Sequence, residues 1–299
     1  MGFGPRPGDD WQNRVMEETT FTVPSDDGID LHVYRWAPEG EPRAVIQVQH
    51  GLAEHGARYR RFAEALTAAG YLVYAPDARG SGLTAAGKHG DWGPDGWQGW
   101  VDDLGVLNKR IREDAPVLPL VLFGHSMGSF AAQHFLLDHA SDVDAVVLSG
   151  TGDAAVLAPM LGSDAPTDLS AFNAPFEHRT GFEWLSRDAD EVDKYVADPL
   201  CGWAAPSPAG IASLARAADP EALSAIPKDL PILLISGRDD PVGGAGGEGV
   251  EAVAQRYRDA GLTDVEVHLY PEARHELLNE TNRDEVTADV IAFLDRALS

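Results

Sequence analysis

Three residues of the right types stand where a nucleophilic relay can form: Ser126 inside Gly124-His125-Ser126-Met127-Gly128, Asp240 ahead of Pro241, and His275 in Arg274-His275-Glu276. A serine hydroxyl is a poor nucleophile at neutral pH. It needs an imidazole to take its proton, and the imidazole needs a carboxylate to fix its tautomer and stabilise its cation. Glycine two residues either side of the serine suits a sharp strand-to-helix turn, in which a Cβ at either place would meet neighbouring backbone. Such a turn lifts the hydroxyl to the carboxyl edge of a sheet, beside the positive end of the next helix. A Gly-x-Ser-x-Gly match says little by itself in a chain with 31 glycines, so its context decides.

That context is favourable. Val121-Leu122-Phe123 precedes the turn as a short apolar run and a helical pattern follows it. The carboxylate and the histidine then come downstream, each just past an apolar or alternating run, and Ser, Asp, His is one of the orders in which the relay occurs. Asp239 competes with Asp240, which is preferred because it opens the turn fixed by Pro241. His268 competes with His275 but sits inside an alternating strand, whereas His275 lies in the loop after Pro271. Acyl transfer also requires donors for a tetrahedral oxyanion. The backbone N-H groups of Met127, next after the serine, and of Leu52, in His50-Gly51-Leu52, are the candidates.

The elements that must position these groups follow from periodicity. Residues 1 to about 13 carry Gly, Pro and Asp without a period and read as a loose leader. Residues 17–23 and 29–36 alternate in period two across a Pro- and Gly-containing turn, which predicts an antiparallel hairpin. Strands at 44–49, 71–75, 118–123, 145–149, 231–236 and 265–270 alternate with helical patterns at 59–69, 97–112, 127–139, near 260 and 276–298. This rhythm implies parallel strands with helices on both faces. Between Gly150 and Ile226 the rhythm breaks into short helical patches, read as an inserted cap. The expected organisation is a core of residues 1–150 and 227–299 with a cap at 151–226. Trp92, Trp97 and Trp100 read mainly as packing of a helix on the sheet.

Composition narrows the function. The chain has 299 residues, 44% of them hydrophobic, enough for a large buried core. Its formal charge of −25 repels phosphate backbones, so nucleic acid is not an expected partner. No run is apolar enough to span a bilayer and residues 1–10 have no secretory pattern, so a cytoplasmic protein without stable membrane insertion is expected. The single cysteine, Cys201, excludes an intramolecular disulfide and a cysteine-based metal cluster. The relay itself requires no metal or organic cofactor.

His50-Gly51-Leu52-Ala53-Glu54-His55-Gly56-Ala57-Arg58-Tyr59, Asp77 to Gly82, Gly124 to Gly128, Gly237-Arg238-Asp239-Asp240-Pro241-Val242 and Arg274-His275-Glu276 together resemble the monoacylglycerol lipase and lysophospholipase group of α/β-hydrolases, of the serine aminopeptidase S33 type. The similarity runs from about residue 17 to the end. It implies an α/β-hydrolase fold, Ser126 as nucleophile, Asp240 as acid, His275 as base, and Leu52 and Met127 as oxyanion donors. The chain departs from the group at Ala78 and Ser81, where the pattern Asp-His-Arg-Gly-His-Gly carries histidines, and this leaves the substrate open. Met160, Leu161, Phe172, Phe176 and Cys201, with Val156 and Leu157, are candidates for an apolar substrate wall or for cap core. Glu54 and His55 read as holding the oxyanion loop by local hydrogen bonds.

The expected activity is that of a serine ester hydrolase acting on a small lipid-like monoester, such as a monoglyceride or lysophospholipid. A proline-releasing aminopeptidase would share the relay and would need an acidic anchor for a free amino terminus, for which Glu177, Glu183 and Asp198 are available. A ligand-binding protein without turnover is a third reading, disfavoured because the relay is complete.

Overall fold

The computed structural model describes residues 16–161, 169–204 and 206–299. The expected leader at 1–13 and the side chain of Met160 lie outside the described residues.

Eight strands form one sheet: β1 (Glu17–Pro24), β2 (Asp30–Ala37), β3 (Ala44–Gln49), β4 (Tyr71–Pro76), β5 (Leu120–His125), β6 (Ala145–Ser149), β7 (Ile232–Gly237) and β8 (Val265–Tyr270). Their spatial order is β1-β2-β4-β3-β5-β6-β7-β8. β1 pairs antiparallel with β2 and β2 antiparallel with β4, and every later pairing is parallel. The strands from β3 through β7 are buried at every position. That is why they read as continuous apolar runs, while β1 alternates at an edge that faces solvent.

The helices are α1 (Arg60–Ala68), α2 (Gly96–Asp114), α3 (Met127–His139), α4 (Ala154–Leu161), α5 (Ala189–Ala197), α6 (Pro220–Leu223), α7 (Glu248–Asp259) and α8 (Arg283–Ala297). In α2, Trp97, Trp100, Val101, Leu104, Leu107 and Ile111 are buried at helical spacing. Trp100 stacks on Trp92 at 5.2 Å and meets Trp97 at 6.1 Å, so the tryptophan trio is packing. α3 carries the serine turn at its start and is buried on almost every side, consistent with a helix under further layers rather than at the surface. Between β6 and β7 there is no strand among the described residues. This segment holds α4, α5, a tight helical stretch Ile211–Ala218 and α6, and its Trp184, Leu185, Tyr195, Ile211 and Leu214 join the same apolar core as α2 and α3.

Two predicted elements differ most, and the first is β5, which runs from Leu120 to His125 rather than over 118–123. The second is the last helix, which begins at Arg283 rather than at Glu276, after a single tight turn Leu277–Asn279. The side chain of Glu280 accepts the backbone N-H groups of Arg274 and Thr281, at 2.9 and 2.8 Å, and this folds the chain into a compact loop before the helix can start.

Candidate active site

Ser126 sits at φ 51°, ψ −123°, between the end of β5 and the start of α3. A non-glycine residue in that region is strained. It is held there by its own backbone: its N-H donates to the Ser149 carbonyl at 2.9 Å, and its carbonyl accepts from the N-H groups of Ser129 and Phe130 at 2.8 and 3.1 Å. The flanking glycines are a steric requirement. A Cβ on Gly128 would lie 2.3 Å from the Gln49 carbonyl oxygen, and one on Gly124 would lie 2.6 Å from that of Gly128.

The downstream loops converge on the same edge. Asp240, 1% exposed, opens the turn after β7 and accepts the Val242 N-H at 2.9 Å. Its two carboxylate oxygens lie 2.9 and 3.0 Å from His275 Nδ1. Asp239 points to solvent. His268 stays in β8 among Glu266 and Asp289. His275, 2% exposed, lines one cavity together with Ser126, Gly51, Leu52, Glu54, His125, Leu169, Trp184, Leu185, Tyr195 and Glu276. Burial works against an imidazolium at His275, but the Asp240 carboxylate outweighs it and raises the basicity of the ring. With Nδ1 engaged by Asp240, Nε2 is the nitrogen left for the serine.

Leu52 and Met127 occupy the places expected of oxyanion donors, on the loop after β3 and at the first residue of α3. The β3 loop is tightly tied. Glu54 accepts the Gly51 N-H at 2.7 Å, the Tyr59 hydroxyl at 3.1 Å and Arg58 at 2.8 Å. Arg58 in turn makes a bidentate pair with Glu276, the residue after His275, at 2.5 and 2.7 Å. His50, fully buried, accepts the Ala78 N-H at Nε2 and therefore donates Nδ1-H to the Gly51 carbonyl at 2.7 Å. Ala53 carries a φ of 55°, and its carbonyl accepts the Tyr195 hydroxyl and the Gly202 N-H at 2.9 and 3.0 Å. His55 leaves the loop and pairs with Asp198 at 2.9 Å.

Three neighbours were given no role by the sequence. His125 packs against His275 with ring centroids 4.8 Å apart, and burial beside that second imidazole pushes it down to about 4, which keeps it neutral. Trp184 covers the other side of His275 at 4.7 Å. Gly150 lies where a Cβ would come within 2.9 Å of His125 and 3.0 Å of His275. A glycine directly after a buried strand was the one legible hint of this close approach.

The expected wall residues are placed less centrally. Phe172 packs on Trp184 at 5.0 Å, Phe176 lies under the Arg274 guanidinium at 4.5 Å, and Leu161 and Cys201 are partly buried against the core. From the same segment it is Leu169, Trp184, Leu185 and Tyr195 that line the cavity at Ser126.

A mostly parallel sheet with a strained serine on the turn after β5, and an aspartate and histidine in the loops after β7 and β8, defines an α/β-hydrolase. Comparison with known proteins takes this further. Residues 40–282 match the family described as serine aminopeptidase, S33. The chain is 32% identical over 272 residues to the monoacylglycerol lipase of Mycolicibacterium smegmatis, covering 87% of this chain and 90% of that one. It is 30% identical over 275 residues to mouse monoglyceride lipase, covering 86% of each. The crystal structure of a highly thermostable carboxyl esterase from Bacillus coagulans, in complex with glycerol, superposes with a TM-score of 0.84 at 31% identity, covering 95% of this chain and 100% of that one. The chain belongs to the serine aminopeptidase S33 family of α/β-hydrolases, among relatives that are monoacylglycerol lipases.

Proposed function

We propose that this hydrolase of carboxylic esters cleaves small lipid-like monoesters, with a glyceride-type alcohol and a medium or long acyl chain, through an acyl-enzyme on Ser126. In the first step Ser126 Oγ attacks the ester carbonyl carbon while His275 Nε2 takes its proton. The imidazolium is stabilised by Asp240 at Nδ1, and the oxyanion receives the N-H groups of Leu52 and Met127. Collapse breaks the bond to the alcohol oxygen, which leaves with the proton from His275. In the second step water attacks the acyl-serine, His275 again taking the proton; collapse then breaks the bond to Ser126 Oγ, which takes that proton from His275 as the carboxylic acid departs. The observation that carries this reading is the Asp240–His275 contact, with Nδ1 2.9 Å from one carboxylate oxygen, in the same cavity as a serine held at positive φ.

The substrate class is supported by the relatives, whose names are those of monoacylglycerol lipases, and by the esterase neighbour bound to glycerol. Residues 151–226 act in this reading as a cap over the cavity, contributing Leu169, Trp184, Leu185 and Tyr195 to its wall. No helix among the described residues is long and apolar enough to cross a membrane. The aminopeptidase reading is not favoured. The three carboxylates that would anchor a free amino terminus are engaged elsewhere: Glu183 with Thr180, Gly181 and Asn173, Glu177 with Arg274, and Asp198 with His55.

A panel of glycerol and p-nitrophenyl esters of graded acyl length tests the reading. Faster turnover of medium- and long-chain monoesters than of diesters is expected. Preference for two- to four-carbon acyl chains, or turnover of proline β-naphthylamide in place of esters, would overturn the substrate assignment.

A further inference from the structure

The loop that carries His275 meets the end of β7 through the Asp239 N-H and the Ala273 carbonyl at 3.0 Å, and it is also fastened to the segment between β6 and β7. The His275 N-H donates to the Trp184 carbonyl at 3.3 Å and the Glu276 N-H to the Leu185 carbonyl at 2.7 Å. The Arg274 guanidinium reaches the Glu183 carbonyl at 2.7 Å, and the Ser186 hydroxyl donates to the Asn279 carbonyl at 2.9 Å. At the centre of this seam is a carboxylate with no exposure, Glu280. Its Oε1 accepts the backbone N-H groups of Arg274 and Arg187 at 2.9 and 3.0 Å. Its Oε2 accepts Arg187 Nε at 2.9 Å and the N-H and hydroxyl of Thr281 at 2.8 and 3.3 Å. A buried carboxylate is retained only when its lone pairs are filled. Here they are filled by donors from both sides of the seam, one of them the residue immediately before His275.

We infer that Glu280, with Arg187, is a positioning residue for the base: it locks the His275 loop onto the 183–187 segment and so holds the imidazole against Asp240. The inference rests on the reading of Ser126 and His275 as nucleophile and base. Neither Glu280 nor Arg187 lines the cavity at Ser126, so both are placed to act through other residues. Their effect passes through the peptide from Arg274 to His275 and through the Trp184 ring, which lies 4.7 Å from the imidazole.

The groups that set the titration of His275 are few. Asp240 faces it from the loop after β7, Glu54 from the loop after β3, Glu276 from its own loop and the His125 imidazole from the end of β5, with Arg58 behind Glu54 and Glu276. Burial lowers the basicity of the ring and Asp240 is the largest influence raising it. If the seam is loosened and the Asp240 contact lengthens, burial gains and the ring becomes less basic. The acid limb of the rate profile then moves to lower pH. A residue that only supported global stability would leave that limb in place.

The test uses Arg187→Gln, at a partly exposed side chain, and Glu280→Gln, whose amide NH2 would face donors on one oxygen position. With a p-nitrophenyl ester, kcat is expected to fall about ten- to a hundredfold with KM held within about twofold, the range for a small misplacement of a catalytic group. The acid limb of kcat/KM is expected to move down by about half a pH unit, and labelling of Ser126 by a fluorophosphonate to slow in parallel. If Glu280→Gln does not fold, Arg187→Gln decides alone. Unmoved acid limbs in variants that fold, whether or not kcat falls, overturn the positioning role. Absence of labelling in the wild type would instead overturn the underlying reading of Ser126.

Discussion

The tie between Glu54 and the β3 loop offers the most quantitative check on how the site is held. Glu54 is 4% exposed and accepts from the Gly51 N-H, the Tyr59 hydroxyl and Arg58. Burial raises its carboxyl, but the Arg58 charge and the Gly51 bond hold it down at about 2, against an ordinary 4.5. Hydrogen bonds to a charged group are worth about 1.5 to 3 kcal/mol, so this anchor contributes on the order of 3 kcal/mol to stability at neutral pH. A carboxyl depressed in the folded state stabilises above its unfolded pKa, and the contribution is lost as pH falls towards the folded value. Glu54→Gln should therefore unfold on the order of 3 kcal/mol more easily at pH 7, a fall in Tm of roughly 5 °C for a chain of this size. The difference from wild type should shrink by about half at pH 3. Arg58 keeps its pair with Glu276, so its charge is not orphaned. Activity should fall as well. The Gly51 N-H precedes that of Leu52, and misalignment of one oxyanion donor costs about a hundred- to a thousandfold when complete. Because Ala53 remains held by Tyr195 and Gly202, a loss of about ten- to a hundredfold is expected. Denaturant unfolding at pH 7, 5 and 3, with kcat/KM on one ester, measures both. An unchanged midpoint at pH 7, or a difference that grows as pH falls, would refute the assignment of Glu54 as the charged anchor of this loop.

Three further outcomes follow from the same geometry. Asp240→Asn should keep Tm within a few degrees yet lower kcat by about a thousand- to ten-thousandfold, because the amide favours the wrong imidazole tautomer; steady-state kinetics beside a thermal melt separates the two effects. Gly128→Ala should be destabilised by roughly 3 kcal/mol or more and lose fluorophosphonate labelling, since its Cβ would press on the Gln49 and His50 carbonyls at 2.3 and 2.4 Å; a wild-type melt would contradict the close approach of α3 to β3. Tyr195→Phe removes one of two donors to the Ala53 carbonyl, and a severalfold drop in kcat with about 1 kcal/mol of lost stability is expected by the same assays.

Much of this arrangement was legible from residue order alone. Buried parallel strands announce themselves as largely apolar runs and the edge strand at 265–270 by alternation, so the strands at 44–49, 145–149 and 265–270 and the helix at 127–139 were bounded correctly. The serine turn was legible because only glycine satisfies the space beside it. Asp240 was separable from Asp239 because Pro241 fixes the turn, and the structure brings Asp240 to His275 while Asp239 faces water. What periodicity does not carry is the set of contacts between distant loops. The Glu54–Arg58–Glu276 bridge joins residues 218 apart at Arg58 and Glu276, and the Glu280 seam joins the last loop to residue 187. The late start of α8 has the same origin: Glu280 spends its carboxylate on the loop, a use that local helix propensity does not reveal. The cavity wall was hard to read for a related reason. In a segment of short helices without a dominant period, Leu169 and Phe172 look alike in sequence, and only packing separates the residue facing Ser126 from the one behind Trp184.

The central claim is that Ser126 is the nucleophile of an acyl-enzyme ester hydrolase, with His275 as its base. Incubation of wild type, Ser126→Ala and His275→Ala with a fluorophosphonate, followed by mass measurement of the intact chain and its peptides, tests it directly. One adduct per wild-type chain on the peptide containing Ser126, none on Ser126→Ala and strongly slowed labelling of His275→Ala is the expected result. Labelling elsewhere, or a Ser126→Ala variant that still hydrolyses p-nitrophenyl esters at the wild-type rate, would contradict it.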